Sequence, residues 1–477
     1  LIKLNMKRII YLFIASMAFV AVSCDKDFEE INTSPNSPSS TDPNLLLSTA
    51  ITATQNTMYN AQVGGDMGLC WAQHWSKVQY NDEEKYIPRR ALMNAVWTNL
   101  YAGVIAESKS AYDLAGEAGN TNLQGVSLVL QANAFQILTD LYGPVPFSQA
   151  VVPGNVKPIH DSQEEVYDGI LDLLDRAEVL FASGTGDFTS SADLVYGGDV
   201  TKWRKFAASL KLKALMRISK KRNVSADVQS LVASGLLMSS NSDSAELSYT
   251  ASQPDANPIY ETIVYGNRNE YKVSSVLVST MNALSDPRLP IYAQTNNAGQ
   301  YVGNIPGIEN PGNYNGFSSP GNKYLDPTLP GVFLSYAQVQ LYLAEAANEG
   351  IIPGGVTQAK VHYVNAIEAN FQFNGLGSAS VYTSNASVDF STQSEAREKI
   401  GTQMWIALYG QGIEAWTEWR RTGYPALSPV ANAAIAQIPS RFYFSTDSQN
   451  YNQVNYAAAS ATLSNGDTML SDVWWMN

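Results

Sequence analysis

The sequence predicts a mainly α-helical chain in which helices arrive in pairs, a helical-repeat scaffold that also carries an irregular, loop-rich half. Three observations support this. Apolar residues recur at 3.6-residue spacing through much of the chain. Capping and stop signals bracket several of those runs. Two long stretches, 240–270 and 286–331, are crowded with Gly, Pro, Asn and Tyr and interrupt the pattern. No strict 34-residue consensus emerges, and no linker divides the chain, so residues 44–477 are expected to form one domain.

The N-terminus comes first. Lys7 and Arg8 precede an apolar run from Ile9 to Val22, then Ser23, Cys24 and the acids Asp25, Asp27, Glu29 and Glu30. That order is a secretory signal over residues 1–23, and the cysteine at the cut makes it a lipoprotein signal. Met6 reads as the start, with Leu1 to Asn5 an upstream extension. The apolar run of about 14 residues falls short of the roughly 20 needed to span a bilayer. Cys24 is therefore the expected lipidation site, and acyl chains hold such a protein at about 0.8 kcal/mol per buried methylene. Residues 24–43, rich in Ser, Pro and Asn, read as a lipidated flexible tether.

Helices follow. Trp97, Tyr101, Val104, Ile105 and Ser108 predict a helix over 92–115, and a second runs over 123–142 to the Gly143-Pro144 stop. Ser162 and Glu165 form a capping box, in which hydroxyl and carboxylate each satisfy an orphan amide. Behind it Val166, Ile170, Leu173, Ala177 and Leu180 make one apolar stripe, and Trp203, Phe206, Ala207, Leu210, Ala214 and Ile218 another. Leu334, Ala337, Leu341 and Ala344 predict a further helix. Trp405, Leu408, Tyr409, Trp416 and Trp419 predict one that is continuous to the Gly423/Pro425 stop.

Composition excludes several functions. Without residues 1–23, 27 basic residues stand against 43 acidic ones, moving the net charge from −13 to −16. So acidic a chain is a poor ligand for nucleic acid or anionic headgroups. With Cys24 lipidated, Cys70 stands alone and no intramolecular disulfide is available. His74, His160 and His362 are far apart and follow no zinc spacing, and Gly-x-Ser-x-Gly is absent. Gly410-Gln-Gly-Ile-Glu-Ala415 loosely matches a dinucleotide fingerprint, but it falls inside the expected helix and follows no strand. The many acids leave a two-carboxylate glycosidase open on motif alone, and they show no EF-hand spacing. The basic run from Lys202 to Arg222 reads chiefly as a helix face pairing with acids on neighbouring helices, with docking of an acidic partner or anionic glycan as the alternative.

Flat aromatic faces beside Asn, Asp and Arg suit sugar C–H surfaces and hydroxyls, and peptides use similar platforms. Two places combine these groups. One is the segment 71–86 with Trp71, Trp75, Tyr80 and Tyr86; the other is the loop with Tyr314, Phe317 and Tyr324. These seven are the candidate ligand-binding residues. Trp71 and Trp75, spaced i, i+4, also fit a helix core.

Four stretches in order are Leu141-Tyr-Gly-Pro-Val-Pro-Phe147, Trp203-Arg-Lys-Phe-Ala-Ala-Ser-Leu-Lys-Leu-Lys-Ala-Leu-Met-Arg-Ile-Ser219, Leu334-Ser-Tyr-Ala-Gln-Val-Gln-Leu-Tyr-Leu-Ala-Glu-Ala-Ala347 and Trp416-Thr-Glu-Trp-Arg-Arg-Thr-Gly-Tyr-Pro425. A fifth is Ile438-Pro-Ser-Arg-Phe-Tyr-Phe-Ser. Together they resemble the SusD/RagB family of outer-membrane nutrient-binding lipoproteins of the Bacteroidetes. The loosened Tyr443-Phe-Ser-Thr is similar to the family's SusD-like-2 branch. The acids after Cys24 resemble that group's surface-export signal.

The resemblance implies a tetratricopeptide-like scaffold in a single domain. It also implies an outer-membrane, lipid-anchored location facing the exterior, with no catalysis; no cofactor or metal site is assigned, and Ca²⁺ binding stays open. The implied partners are a SusC-type TonB-dependent transporter barrel and an oligosaccharide, with no nucleic acid and membrane contact through the lipid alone. Peptide capture, or a structural lid of little intrinsic affinity, are the alternatives on the same scaffold.

Overall fold

The computed structural model describes residues 41–476, so the expected signal peptide, Cys24 and most of the expected tether lie outside the described residues. Helix α1 spans Pro43–Met58. α2 (Arg90–Thr98) continues through a π-helical segment, Asn99–Ala106, into α3 (Glu107–Glu117). Next come α4 (Thr121–Tyr142), α5 (Gln163–Ser183), α6 (Val200–Ile218) and α7 (Ser225–Ser234). After the irregular region and α8 (Ser275–Ala283) come α9 (Tyr336–Asn348), α10 (Gly355–Phe373), α11 (Gln393–Ala407), α12 (Gly412–Thr422) and α13 (Gln453–Ala461).

Neighbours in sequence pack as pairs: α3 on α4, α4 on α5, α5 on α6, and α9 on α10, with α11 against both of the last two. This is the mainly helical, single-domain, repeat-like scaffold that the periodicity predicts. The capping box at α5 is present: the Glu165 amide donates to Ser162 Oγ at 3.3 Å and the Ser162 amide to Glu165 Oε2 at 2.8 Å. Behind it Val166, Ile170, Leu173 and Ala177 are buried, as are all six stripe residues of α6. Each such large apolar side chain contributes about 1.5–3 kcal/mol on burial.

Two expectations are corrected. Leu334 belongs to a strand, β4 (Gly331–Leu334), which pairs antiparallel with β2 (Ala245–Leu247). Ser335 then caps α9 by accepting from the Gln338 amide. The helix expected through residues 405–419 is broken between α11 and α12. Gly410 has φ +89°, and a Cβ there would meet the Tyr324 ring at 2.8 Å, so the chain turns where only glycine fits. The Gly410–Ala415 fingerprint is thus this turn and the start of α12.

The basic run of α6 pairs with acids around it. Arg204 contacts Glu178, Lys211 contacts Asp175, and Arg222 reaches Asp168 at 2.5 Å. Deeper in, Arg217 lies 3.0 Å from both Glu414 and Glu418 and 3.5 Å from Asp140, while Lys213 binds Glu414 at 2.9 Å. Arg421 of α12 bridges Glu418 and Glu345. Most of that inner group is buried, so the ion pairs tie α4, α6, α9 and α12 together inside the bundle.

A second, smaller core lies under the irregular half. It gathers Trp75, Tyr271, Tyr292, Tyr324, Trp405 and Tyr409.

Candidate functional site

The irregular half is held by backbone pairing between distant segments. β1 (Trp75–Lys77) pairs antiparallel with β3 (Tyr271–Val273), Trp75 opposite Val273 and Lys77 opposite Tyr271. The ladder extends beyond them: the Val78 amide donates to Glu270 O at 3.0 Å, and the Ser274 amide to His74 O at 3.0 Å. The 302–318 loop joins on both sides. Asn310 N donates to Val78 O at 2.8 Å, Asn304 N to Val273 O at 3.0 Å, and Val273 N to Ser318 O at 2.9 Å.

Glu84 fastens the arrangement. Its Oε2 accepts from the Lys77 amide and its Oε1 from the Gly307 amide, each at 2.9 Å. Gly307 has φ +84°, and a Cβ would stand 1.9 Å from Ala431 O, so a side chain there would break the seam. Burial is the largest influence on Glu84 and pushes its carboxyl up to about 7, against the lowering effect of the two amides, Ser76 and the Lys77 ammonium. Burial likewise raises Asp66 to about 6, although Lys77 Nζ lies 3.2 Å away.

On this frame the seven candidate residues separate into two groups. Trp71, Trp75, Tyr86 and Tyr324 are buried, which corrects their expected role in ligand contact. Trp71 donates to Glu83 O at 2.7 Å and meets the Trp416 ring edge-on at 4.8 Å. Trp75 Nε1 donates to Tyr409 OH at 2.8 Å. The Tyr86 hydroxyl accepts from the Val430 amide at 3.0 Å, and Tyr324 donates to Asn374 at 2.9 Å. Their polar tips are satisfied internally and their faces are covered, so they build the core beneath the site.

Tyr80, Tyr314 and Phe317 stand at the surface. Tyr80 is 62% exposed with φ +56°, an unusual backbone state for a large side chain; here the ladder on one side and Glu84 on the other hold it. Tyr314 and Phe317 are half-buried, and the Tyr314 hydroxyl donates to Gln79 Oε1. Desolvation, then Glu270 and Tyr80, raise the Tyr314 phenol, which places these three groups in one electrostatic neighbourhood.

Two residues that sequence reasoning missed complete the face. The Arg268 guanidinium lies 5.9 Å from the Tyr80 ring centroid, and its Nε donates to Glu270 Oε1 at 2.6 Å. Both belong to the end of the 240–270 loop and its junction with β3. The signal that could have found them was the loop itself, an ordered polar stretch inside a compact domain. Tyr265, 66% exposed, lies on the same segment.

The resulting surface is an open platform: the exposed Tyr80 ring beside the Arg268 guanidinium, the half-buried Tyr314 on the Gln79 amide, and the buried Glu270 carboxylate holding Arg268. A cleft of about 470 Å³ is lined by Tyr101, Val156 and Tyr451, and one of about 610 Å³ by His160 and Trp474. An aromatic platform with hydrogen-bonding neighbours can stack on a sugar face and satisfy its hydroxyls. Among the described residues, no cluster of three or more His, Cys, Asp or Glu is arranged to hold a metal ion, and no helix is long and apolar enough to cross a membrane.

Comparison with known proteins identifies the family and the fold. Residues 35–445 match the SusD-like family described as starch-binding and associating with the outer membrane. The chain is similar to a solved chitin-binding protein, with 26% identity, a TM-score of 0.80, and coverage of 91% of this chain and 100% of that one. It is similar to a chitin-binding SusD homologue from Flavobacterium johnsoniae at 24% identity and TM-score 0.79, covering 90% and 98% of the two chains. A SusD homologue from Bacteroides uniformis shares the fold at 22% identity and TM-score 0.80, over 91% and 99%. No curated protein sequence matches. The chain belongs to the SusD-like family of outer-membrane-associated carbohydrate-binding proteins.

Proposed function

We propose that this protein binds nutrient oligosaccharides on the Tyr80–Tyr314 face while anchored at the cell surface through Cys24. It then passes them, chemically unchanged, to a TonB-dependent transporter barrel. The observation that carries the reading is Tyr80: a largely exposed aromatic at an unfavourable φ, with the Arg268 guanidinium 5.9 Å from its ring centroid and the Tyr314–Gln79 hydrogen bond on the neighbouring residue. Strain of this kind persists where a side chain must be presented in one orientation. The family description and the chitin-binding relatives support a glycan as the ligand.

The test is calorimetric titration of the purified protein with pooled neutral oligosaccharides, chitin-derived and starch-derived, and with pooled peptides. Chromatography of the same samples checks for cleavage. The expected result is saturable heat from sugar recovered intact. Heat from peptides alone would move the ligand to peptides, cleaved sugar would overturn the non-catalytic reading, and heat from neither would leave the protein as a lid of its transporter.

A further inference from the structure

We propose that the platform selects neutral glycans over acidic ones, and that Glu270 determines this by neutralising Arg268; the inference rests on the glycan-binding reading above. Arg268 is the cation beside the Tyr80 ring, 5.9 Å from its centroid. A guanidinium next to an exposed aromatic is otherwise well suited to grip a uronate or sulfate, because its planar fork matches a carboxylate bidentately.

Here the fork is already occupied. Arg268 Nε donates to Glu270 Oε1 at 2.6 Å, and Nη2 contacts the same oxygen. Glu270 is no loose surface acid. Its side chain is 4% exposed, and its carbonyl accepts from the Val78 amide at 3.0 Å as part of the ladder that carries Tyr80. The carboxylate is therefore built into the platform, and the cation–anion pair presents no net charge to a ligand.

The remaining cations nearby are withdrawn from the surface. Lys77 is buried against Asp66 at 3.2 Å, and Lys272, also buried and in the field of Glu270, donates to Ser319 Oγ at 3.0 Å. Arg268 Nη1 stays available to donate to a neutral hydroxyl. A glycan carboxylate would have to displace an internal one from the guanidinium, next to the negative charge it displaced. The acidic chain, 43 acids against 30 bases, opposes polyanions at longer range as well.

The test compares neutral hexamers (maltohexaose and hexa-N-acetylchitohexaose) with hexameric oligogalacturonate, titrated at low salt into the purified wild-type protein, Glu270→Gln and Arg268→Gln. Wild type should bind a neutral hexamer and bind the galacturonate more than tenfold more weakly. Glu270→Gln frees the guanidinium and should raise the acidic-to-neutral affinity ratio by roughly threefold to tenfold, the effect of removing one charge about 7 Å away in water-rich surroundings. Arg268→Gln leaves Glu270 unpaired and should lower that ratio by a similar factor, so it reports even if the buried Glu270 site does not tolerate change.

Galacturonate bound as tightly as the neutral sugars by wild type would overturn the selectivity. Ratios unmoved in the folded variants would overturn the role of Glu270. Absence of any sugar binding by wild type would instead remove the glycan reading itself.

Discussion

Replacing Glu84 by Gln should remove most of one pH-dependent contribution to stability. In the folded protein burial raises the Glu84 carboxyl from an ordinary 4.5 to about 7. A raised carboxyl binds its proton more tightly folded than unfolded, so its contribution is fully present below about pH 4.5 and lost as the pH climbs through about 7. At about 1.4 kcal/mol per tenfold change in proton affinity, the loss across that window is about 3 kcal/mol.

Gln cannot ionise, so its pH profile lacks this slope, while the raised Asp66 contributes in both proteins and cancels. Gln also carries a cost of its own. One of its two terminal atoms is a donor facing the Lys77 or Gly307 amide, and an unsatisfied buried donor costs about 1–3 kcal/mol at every pH. Urea denaturation of both proteins from pH 4.5 to 7.5 reads the difference. The variant should be the less stable at pH 4.5, and the gap should close or reverse by about 3 kcal/mol by pH 7.5. Parallel profiles would refute the reasoning and mean that the two amides hold Glu84 ionised throughout.

Other consequences can be measured together. Tyr80→Ala should cost about 1–3 kcal/mol of oligosaccharide binding by calorimetry with an unchanged melting temperature. Tyr451→Ala, in the separate cleft with Tyr101 and Val156, should leave binding intact; the opposite pattern would move the site there. Trp416→Ala should destabilise by about 3–5 kcal/mol, since the ring is wholly buried against Trp71 and Phe442 and its Nε1 donates to Pro439 O at 2.9 Å. Arg217→Met should cost about 3–5 kcal/mol in denaturation, because Asp140, Glu414 and Glu418 would lose a shared buried cation.

The helical half was legible because its information is local. The stripe from Trp203 to Ile218 and the box at Ser162 and Glu165 need only the residues within a few turns, and both appear as expected. The paired charges of α6 were also readable in outline, since a basic helix in an acidic bundle must find acids. What failed was non-local. The break at Gly410 follows from the Tyr324 ring across the turn, and the strand at Leu334 from pairing with Ala245, nearly ninety residues earlier.

The candidate site divides along the same line. By itself the sequence determined the helical scaffold, the family membership signalled by the order of its blocks, and the two segments rich in aromatics. Within those segments it could not say which rings face water. Trp71 and Tyr80 sit in equally polar company, yet one is sealed under Trp416 and the other lies open beside Arg268. Exposure is decided by what covers a ring, and here the covering residues come from α12, β3 and the 302–318 loop, hundreds of positions away in the chain. Only the tertiary structure brings Glu270 and Arg268 to Tyr80, because hydrogen bonds between distant backbones, invisible to any local pattern, set that register.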